Sequence, residues 1–232
     1  MIAIEVADLN VWRGDAHVLH GVEFSVARNE VTALLGRNGV GKSTTLLAMM
    51  GLLPAQGTIR IDATDAIATP THLIAQGGVG YVPEDREVFA SLTVAENFRL
   101  AERPNTEPRY EMVYSLFPDL YGRKEQAAGT LSGGQQQMLA LGRVLLNPNK
   151  ILLIDEPTKG LAPIIVEQVV EALAHAAEDA TVLLVEQNLW VAGQLANDAV
   201  VLDQGQVVHS GPMDELINDS ALAGRYLGVE VR

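Results

Sequence analysis

Short apolar runs alternate with longer mixed segments along this chain. Val31-Thr32-Ala33-Leu34-Leu35, Ile151-Leu152-Leu153-Ile154 and Thr181-Val182-Leu183-Leu184-Val185 lack the polar alternation of a half-exposed strand. Runs of that kind suit strands buried on both faces, and each is followed by a stretch that can be helical. The expected class is α/β, with a mostly parallel sheet covered by helices. The first 27 residues and Gly57 to Asp62 differ: short β-prone pieces broken by Gly and Asp predict a small antiparallel region beside the main sheet. Ala199 to Asp203, then Gln204-Gly205, then Gln206 to His209 predicts a hairpin with glycine in its turn. Between Pro83 and Gly129 strand character is poor. Ser91 precedes a one-sided apolar pattern over Leu92 to Leu100 that predicts a short helix, and Glu102 to Pro108 predicts a loop. Residues 1–232 are expected to form one nucleotide-binding domain, with 84–145 a helical subdomain inside it before the chain returns to the core.

Composition narrows the function. With 48% hydrophobic residues the chain can build a real core, and without cysteine it has neither disulfides nor thiolate chemistry. The alternating start Ile2-Ala3-Ile4-Glu5 has no basic segment, so no cleaved secretion signal is expected, and no apolar run is long enough to span a bilayer. A formal charge of −13 with only four lysines argues against a nucleic-acid partner. Such an acidic chain can hold a polyphosphate only by building a local positive site.

Gly36-Arg37-Asn38-Gly39-Val40-Gly41-Lys42-Ser43 provides one, between a predicted strand and a helical run from Thr44 to Met50. Its glycines let backbone N–H groups converge on phosphate oxygens, and the new helix adds its positive end. Lys42 supplies a point charge for the β- and γ-phosphates of ATP, and the Ser43 hydroxyl can ligate Mg²⁺. The surrounding fold is expected to be of the P-loop NTPase type. At the end of Ile151 to Ile154 stand Asp155 and Glu156, whose side chains point in different directions. Asp155 is expected to serve Mg²⁺ and Glu156 to orient or deprotonate water. Ser132-Gly133-Gly134-Gln135 opens a second helix and makes a second anion site, which a dimer would use if each copy capped the nucleotide of the other.

GRNGVGKST, LSGGQQQ and ILLIDEP, in that order, resemble the nucleotide-binding subunits of ABC transporters over essentially the whole chain. The resemblance implies the ABC ATPase fold and a head-to-tail dimer sandwiching two ATP molecules. Gly36, Asn38, Gly39, Gly41, Lys42, Ser43, Thr44, Asp155 and Glu156 would come from one subunit, and Ser132, Gly133, Gly134 and Gln135 from the other. Three positions depart from the family pattern. Glu84 stands where the lid loop usually has glutamine, and Gln187 stands at the switch usually held by histidine. Arg13, preceded by Trp12, stands where an aromatic residue usually meets adenine; either can stack on the base, with Trp12 favoured.

Glu84 with Arg86, Lys159-Gly160-Leu161-Ala162-Pro163, Val185-Glu186-Gln187-Asn188 and the terminal Arg225-Tyr226-Leu227-Gly228 are similar to the LivF type of branched-chain amino-acid importer ATPase. GRNGVGK with Arg86-Glu87-Val88-Phe89 also resembles the closely related urea-importer ATPase. The implied partners are a second ABC ATPase subunit, identical or not, permease subunits and, indirectly, an extracytoplasmic solute-binding protein. The chain would sit at the cytoplasmic membrane face, with Glu84 to Leu100, including Arg86, Phe89 and Phe98, turned toward a membrane partner.

Overall fold

The computed structural model describes residues 1–227. Two sheets share the chain. An antiparallel sheet is built from β1 (Ile2–Arg13), β2 (Ala16–Ala27), β4 (Ala55–Ile61) and β5 (Thr64–Asp65), in the order β2-β1-β4-β5. The larger one runs β10-β9-β3-β8-β7-β6, from β3 (Val31–Leu35), β6 (Val79–Val82), β7 (Ile151–Asp155), β8 (Thr181–Glu186), β9 (Asp198–Asp203) and β10 (Gln206–Pro212). Strands β3, β6, β7, β8 and β9 are parallel, and only β10 runs against its neighbour. Every residue of β3, β7 and β8 is buried, as their unbroken apolar runs require. Edge strand β10 has no fully buried residue and alternates between exposed and half-buried positions.

The helices are α1 (Lys42–Met49), α2 (Thr71–Gln76), α3 (Val94–Ala101), α4 (Tyr110–Leu116), α5 (Pro118–Gly122), α6 (Gly133–Leu145), α7 (Pro163–Ala177), α8 (Leu189–Leu195), α9 (Met213–Asn218) and α10 (Ser220–Leu227). One apolar cluster joins the antiparallel sheet and α1 to one face of the main sheet. Another sets α3 to α7 against the opposite face, and a third packs α8 and α9 on β3 and β9.

Three expectations need correcting. The opening region is two strands of 12 residues, not short broken pieces. Its punctuation residues make bulges: Asp8 (φ 48°) and Gly21 (φ 63°) lie inside strands, and the β1–β2 register shifts between Val6 and Leu9. Gly57 belongs to the same distortion, since a Cβ there would lie 2.1 Å from the Asp8 carbonyl oxygen. Helix α3 starts at Val94, later than expected, because Thr93 caps it. Its hydroxyl accepts from the Glu96 N–H (3.1 Å), and the Glu96 carboxylate accepts from the Thr93 N–H (2.8 Å). Phe98, placed on a partner-facing surface from sequence, is fully buried under α4 and α6, whereas Phe89 is 47% exposed beneath the Arg143 guanidinium. Gly228 lies outside the described residues.

Candidate nucleotide site

Strand β3 delivers the loop Gly36 to Gly41, and α1 begins at Lys42. Gly36, Gly39 and Gly41 have φ of 148°, 81° and 111°. At Gly41 a Cβ would meet Leu19 at 2.4 Å, and at Gly36 it would meet the Leu202 carbonyl oxygen at 2.3 Å, so two core strands press on the loop from behind. The Lys42 ammonium is buried. It donates to the carbonyls of Gly36 (2.9 Å) and Arg37 (3.1 Å) and lies 3.3 Å from Glu156 Oε1.

An open cavity of about 310 Å³ fronts this loop. Its walls carry Asn38, Gly39, Gly41, Lys42, Ser43 and Thr44, and opposite them Glu84 and Glu156. Arg13 and Val18 close one side. Of the two candidates for adenine, Arg13 therefore lies on the cavity wall. Trp12 instead stacks on His17, with ring centroids 4.1 Å apart and planes 6° from parallel. A bigger concavity of about 700 Å³ lies between β1, β2 and β10, lined by Glu5 and Glu23 among others and by no glycine-rich loop, so size does not mark the site.

Glu156 is the node of the arrangement. It follows β7 with φ 43°, a sparsely populated conformation for a side-chain-bearing residue, and is held there by its N–H donating to the Val185 carbonyl (2.9 Å). Gln187, just after β8, donates to Glu156 Oε1 (2.5 Å) and to Asn38 Oδ1. Glu156 Oε2 faces the Lys159 ammonium at 3.2 Å. Burial alone would raise the Glu156 pKa, but the Gln187 hydrogen bond and the Lys42 and Lys159 ammonium groups hold it below the usual carboxylate range. Lys159 also reaches Glu84 Oε1 at 2.5 Å, and the two carboxylates push its own pKa up to about 12. The charge Glu84 adds beside the loop is thus matched by a lysine that sequence reasoning used only as a family marker.

Asp155, one residue earlier, is buried, and its carboxyl is pushed up to about 6, chiefly by desolvation, with Ser43 hydrogen bonding opposing. Its Oδ1 has no hydrogen-bond partner. An unpaired buried carboxylate oxygen beside a serine hydroxyl fits a hard cation such as Mg²⁺, which takes few protein ligands and completes its shell with phosphate and water. Sequence reasoning used Glu186 only as part of a family marker; it is buried at the end of β8. It accepts from the Thr158 hydroxyl (2.5 Å) and from the N–H groups of Gln187 (3.0 Å) and Asn188 (3.1 Å), fixing the turn that aims Gln187. Burial raises its pKa.

Ser132, Gly133, Gly134 and Gln135 are not in the walls of this cavity. They form their own helix start: Ser132 Oγ accepts from the Gln135 N–H (3.3 Å), and the Gln135 side chain accepts from the Ser132 N–H (3.0 Å). The Arg86 guanidinium packs against Gly133.

Known proteins share this architecture. The family model described as ABC transporter matches residues 19–159. A high-affinity branched-chain amino acid transport ATP-binding protein, BraG of Pseudomonas aeruginosa, is 39% identical over 95% of this chain and 97% of that protein. A probable branched-chain amino acid transport ATP-binding protein, LivF of Archaeoglobus fulgidus, is 32% identical over 97% of this chain and 99% of its own length. A nucleotide-free ATP-binding cassette from an ABC transporter superposes with a TM-score of 0.82 at 23% identity, covering 99% of each chain. With this match over residues 19–159 and these near-full-length relatives, the chain belongs to the ABC transporter family as one of its ATP-binding subunits.

Proposed function

We propose that this chain is the Mg²⁺-dependent, ATP-hydrolysing motor of an importer for branched-chain or other hydrophobic amino acids, attached to permease subunits at the cytoplasmic membrane face. The hydrolytic half rests on one observation: Glu156 is strained, buried, and pinned by Lys42, Lys159 and Gln187 at the cavity fronting the phosphate loop. The solute half rests on the near-full-length similarity to BraG and LivF. Among the described residues no helix is long and apolar enough to cross a membrane, so the pathway for the solute would belong to partners.

In this reading the polyphosphate lies against Gly36 to Thr44, and Lys42 exchanges the Gly36 and Arg37 carbonyls for β- and γ-oxygens. Ser43 and Asp155 would hold Mg²⁺, which when bound neutralises charge on the β- and γ-phosphates. Glu156 orients water and accepts its proton as the nucleophile forms. Gln187, released from Glu156, donates its amide N–H to the γ-phosphate without a change of charge. Ser132, Gly133, Gly134 and Gln135 of a second ABC subunit cap the same phosphate. Arg13, which lines the cavity, would stack on adenine in preference to Trp12, whose ring stacks on His17, and an extracytoplasmic binding protein would deliver the solute.

Uptake by a deletion strain tests the solute. Loss of labelled leucine uptake, restored by the intact gene but not by Glu156→Gln, is expected. Loss of urea uptake with leucine spared would reassign the chain to an amide importer, and no transport defect would point to an ABC ATPase outside transport.

A further inference from the structure

The charged side chains on the cavity wall cancel: Arg13 and Lys42 stand against Glu84 and Glu156. A polyphosphate entering such an acidic protein needs a positive excess, and one ammonium group at the rim can provide it. Lys159, in the turn after β7, lies 2.5 Å from Glu84 on the loop after β6 and 3.2 Å from Glu156 at the end of β7. Glu156 Oε1 is already occupied by Gln187 and Lys42, so Lys159 holds the other carboxylate oxygen. Its side chain is half exposed, but one end of the bridge is anchored on a buried carboxylate, unlike an ordinary surface pair.

We propose that Lys159 is a positioning residue of the hydrolytic site: it clasps Glu84 and Glu156 together and offsets the negative charge that Glu84 brings toward the phosphates. This rests on the reading of Glu156 as the water-orienting group. The lid-loop glutamate and the lysine after the carboxylate pair then form one functional unit. Glu84 alone would repel nucleotide; with Lys159 it fixes the lid loop to the strand end that carries Glu156. Lysine suits the task because its compact charge can meet two carboxylates on different elements.

The test is a double-mutant cycle on the full-length protein. Kd for a fluorescent non-hydrolysable ATP analogue with Mg²⁺ is measured beside steady-state kcat and KM. Lys159→Gln is expected to raise Kd about five-fold and lower kcat about ten-fold, and Lys159→Arg to recover most of both losses. In a Glu84→Gln background the same Lys159→Gln change should alter Kd by less than about two-fold, because the charge it offset has gone. A purely structural loop role would give equal losses in both backgrounds, and that result overturns the proposal. So would Lys159→Gln values within about two-fold of the parent. Glu156→Gln is run alongside: if it is inactive while Lys159→Gln is silent, only the role of Lys159 fails. If it hydrolyses ATP at the parental rate, the reading of Glu156 and this proposal fall together.

Discussion

Two adjacent carboxylates at the end of β7 have their pKa values moved in opposite directions. Glu156 is kept ionised by Gln187 and two lysines, while Asp155 has a lone buried oxygen and a carboxyl pushed up to about 6. The Asp155 shift carries a sign for stability. Its charged form is worse off in the fold than in the unfolded chain, so ionisation subtracts stability in full above about pH 6 and not at all once both states are protonated, below about pH 4. Asp155→Asn should therefore raise the Tm of nucleotide-free protein at pH 7.5 by about 2–4 °C, a gain that shrinks toward zero near pH 4. Mg²⁺-dependent ATP binding should be lost in the same variant. Calorimetry at the two pH values checks this, and a lower Tm at pH 7.5 would contradict it. Gln187 bonds to both Asn38 and Glu156, linking the phosphate loop to the strand end. Gln187→Ala is expected to lower kcat about ten-fold or more while changing nucleotide Kd by under about three-fold, since its amide matters chiefly once γ-phosphate is engaged. Alanine silent in both quantities would show that other groups sense the phosphate.

At the scale of elements, α3 holds the segment from Phe89 to Thr93 that leads into it. Buried Asn97 accepts from the Phe89 N–H (2.9 Å) and donates to the carbonyls of Phe89 (3.1 Å) and Thr93 (2.9 Å). Asn97→Ala leaves the Phe89 N–H without its partner, whereas the Phe89 and Thr93 carbonyls keep the N–H groups of Leu92 and of residue 97, so a loss of about 1–2 kcal/mol in urea unfolding is expected, with faster hydrogen exchange at Phe89. Unchanged exchange there would mean that the segment is held by other contacts. The buried strands of the main sheet were legible because unbroken apolar runs leave few alternatives, and the turn at Gln204-Gly205 because glycine readily takes the positive φ (75°) found at Gly205. The length of β1 and β2 was not. Asp8 and Gly21 read as breaks in a sequence, and only pairing across the sheet turns them into bulges. The start of α3 was displaced for a similar reason. Ser91 and Thr93 are both good caps, and the reciprocal bond to Glu96 decides between them.

Across the whole molecule, what the sequence made legible was the chemistry of contiguous motifs, and what it hid was their cross-connections. Lys42 and Glu156 lie 114 positions apart, yet the parallel order β3-β8-β7 brings the ends of their strands to one rim of the sheet. Each motif carried its own signal, so the cluster could be anticipated. The bridge from Glu84 through Lys159 to Glu156 carried none, because a lysine in a polar turn is usually a solvated charge. The choice between Trp12 and Arg13 likewise depends on which face of β1 meets the loop. Ser132 to Gln135 are not in the walls of this chain's phosphate cavity, and in the proposed function a second subunit supplies them. Steady-state ATPase of Glu156→Gln, with sedimentation in ATP and Mg²⁺, probes that account most directly. The amide preserves the shape but cannot take a proton, so turnover should fall at least about a hundred-fold while ATP still binds and a two-subunit species accumulates. Hydrolysis at the parental rate, or loss of ATP binding with no dimer formed, would contradict it.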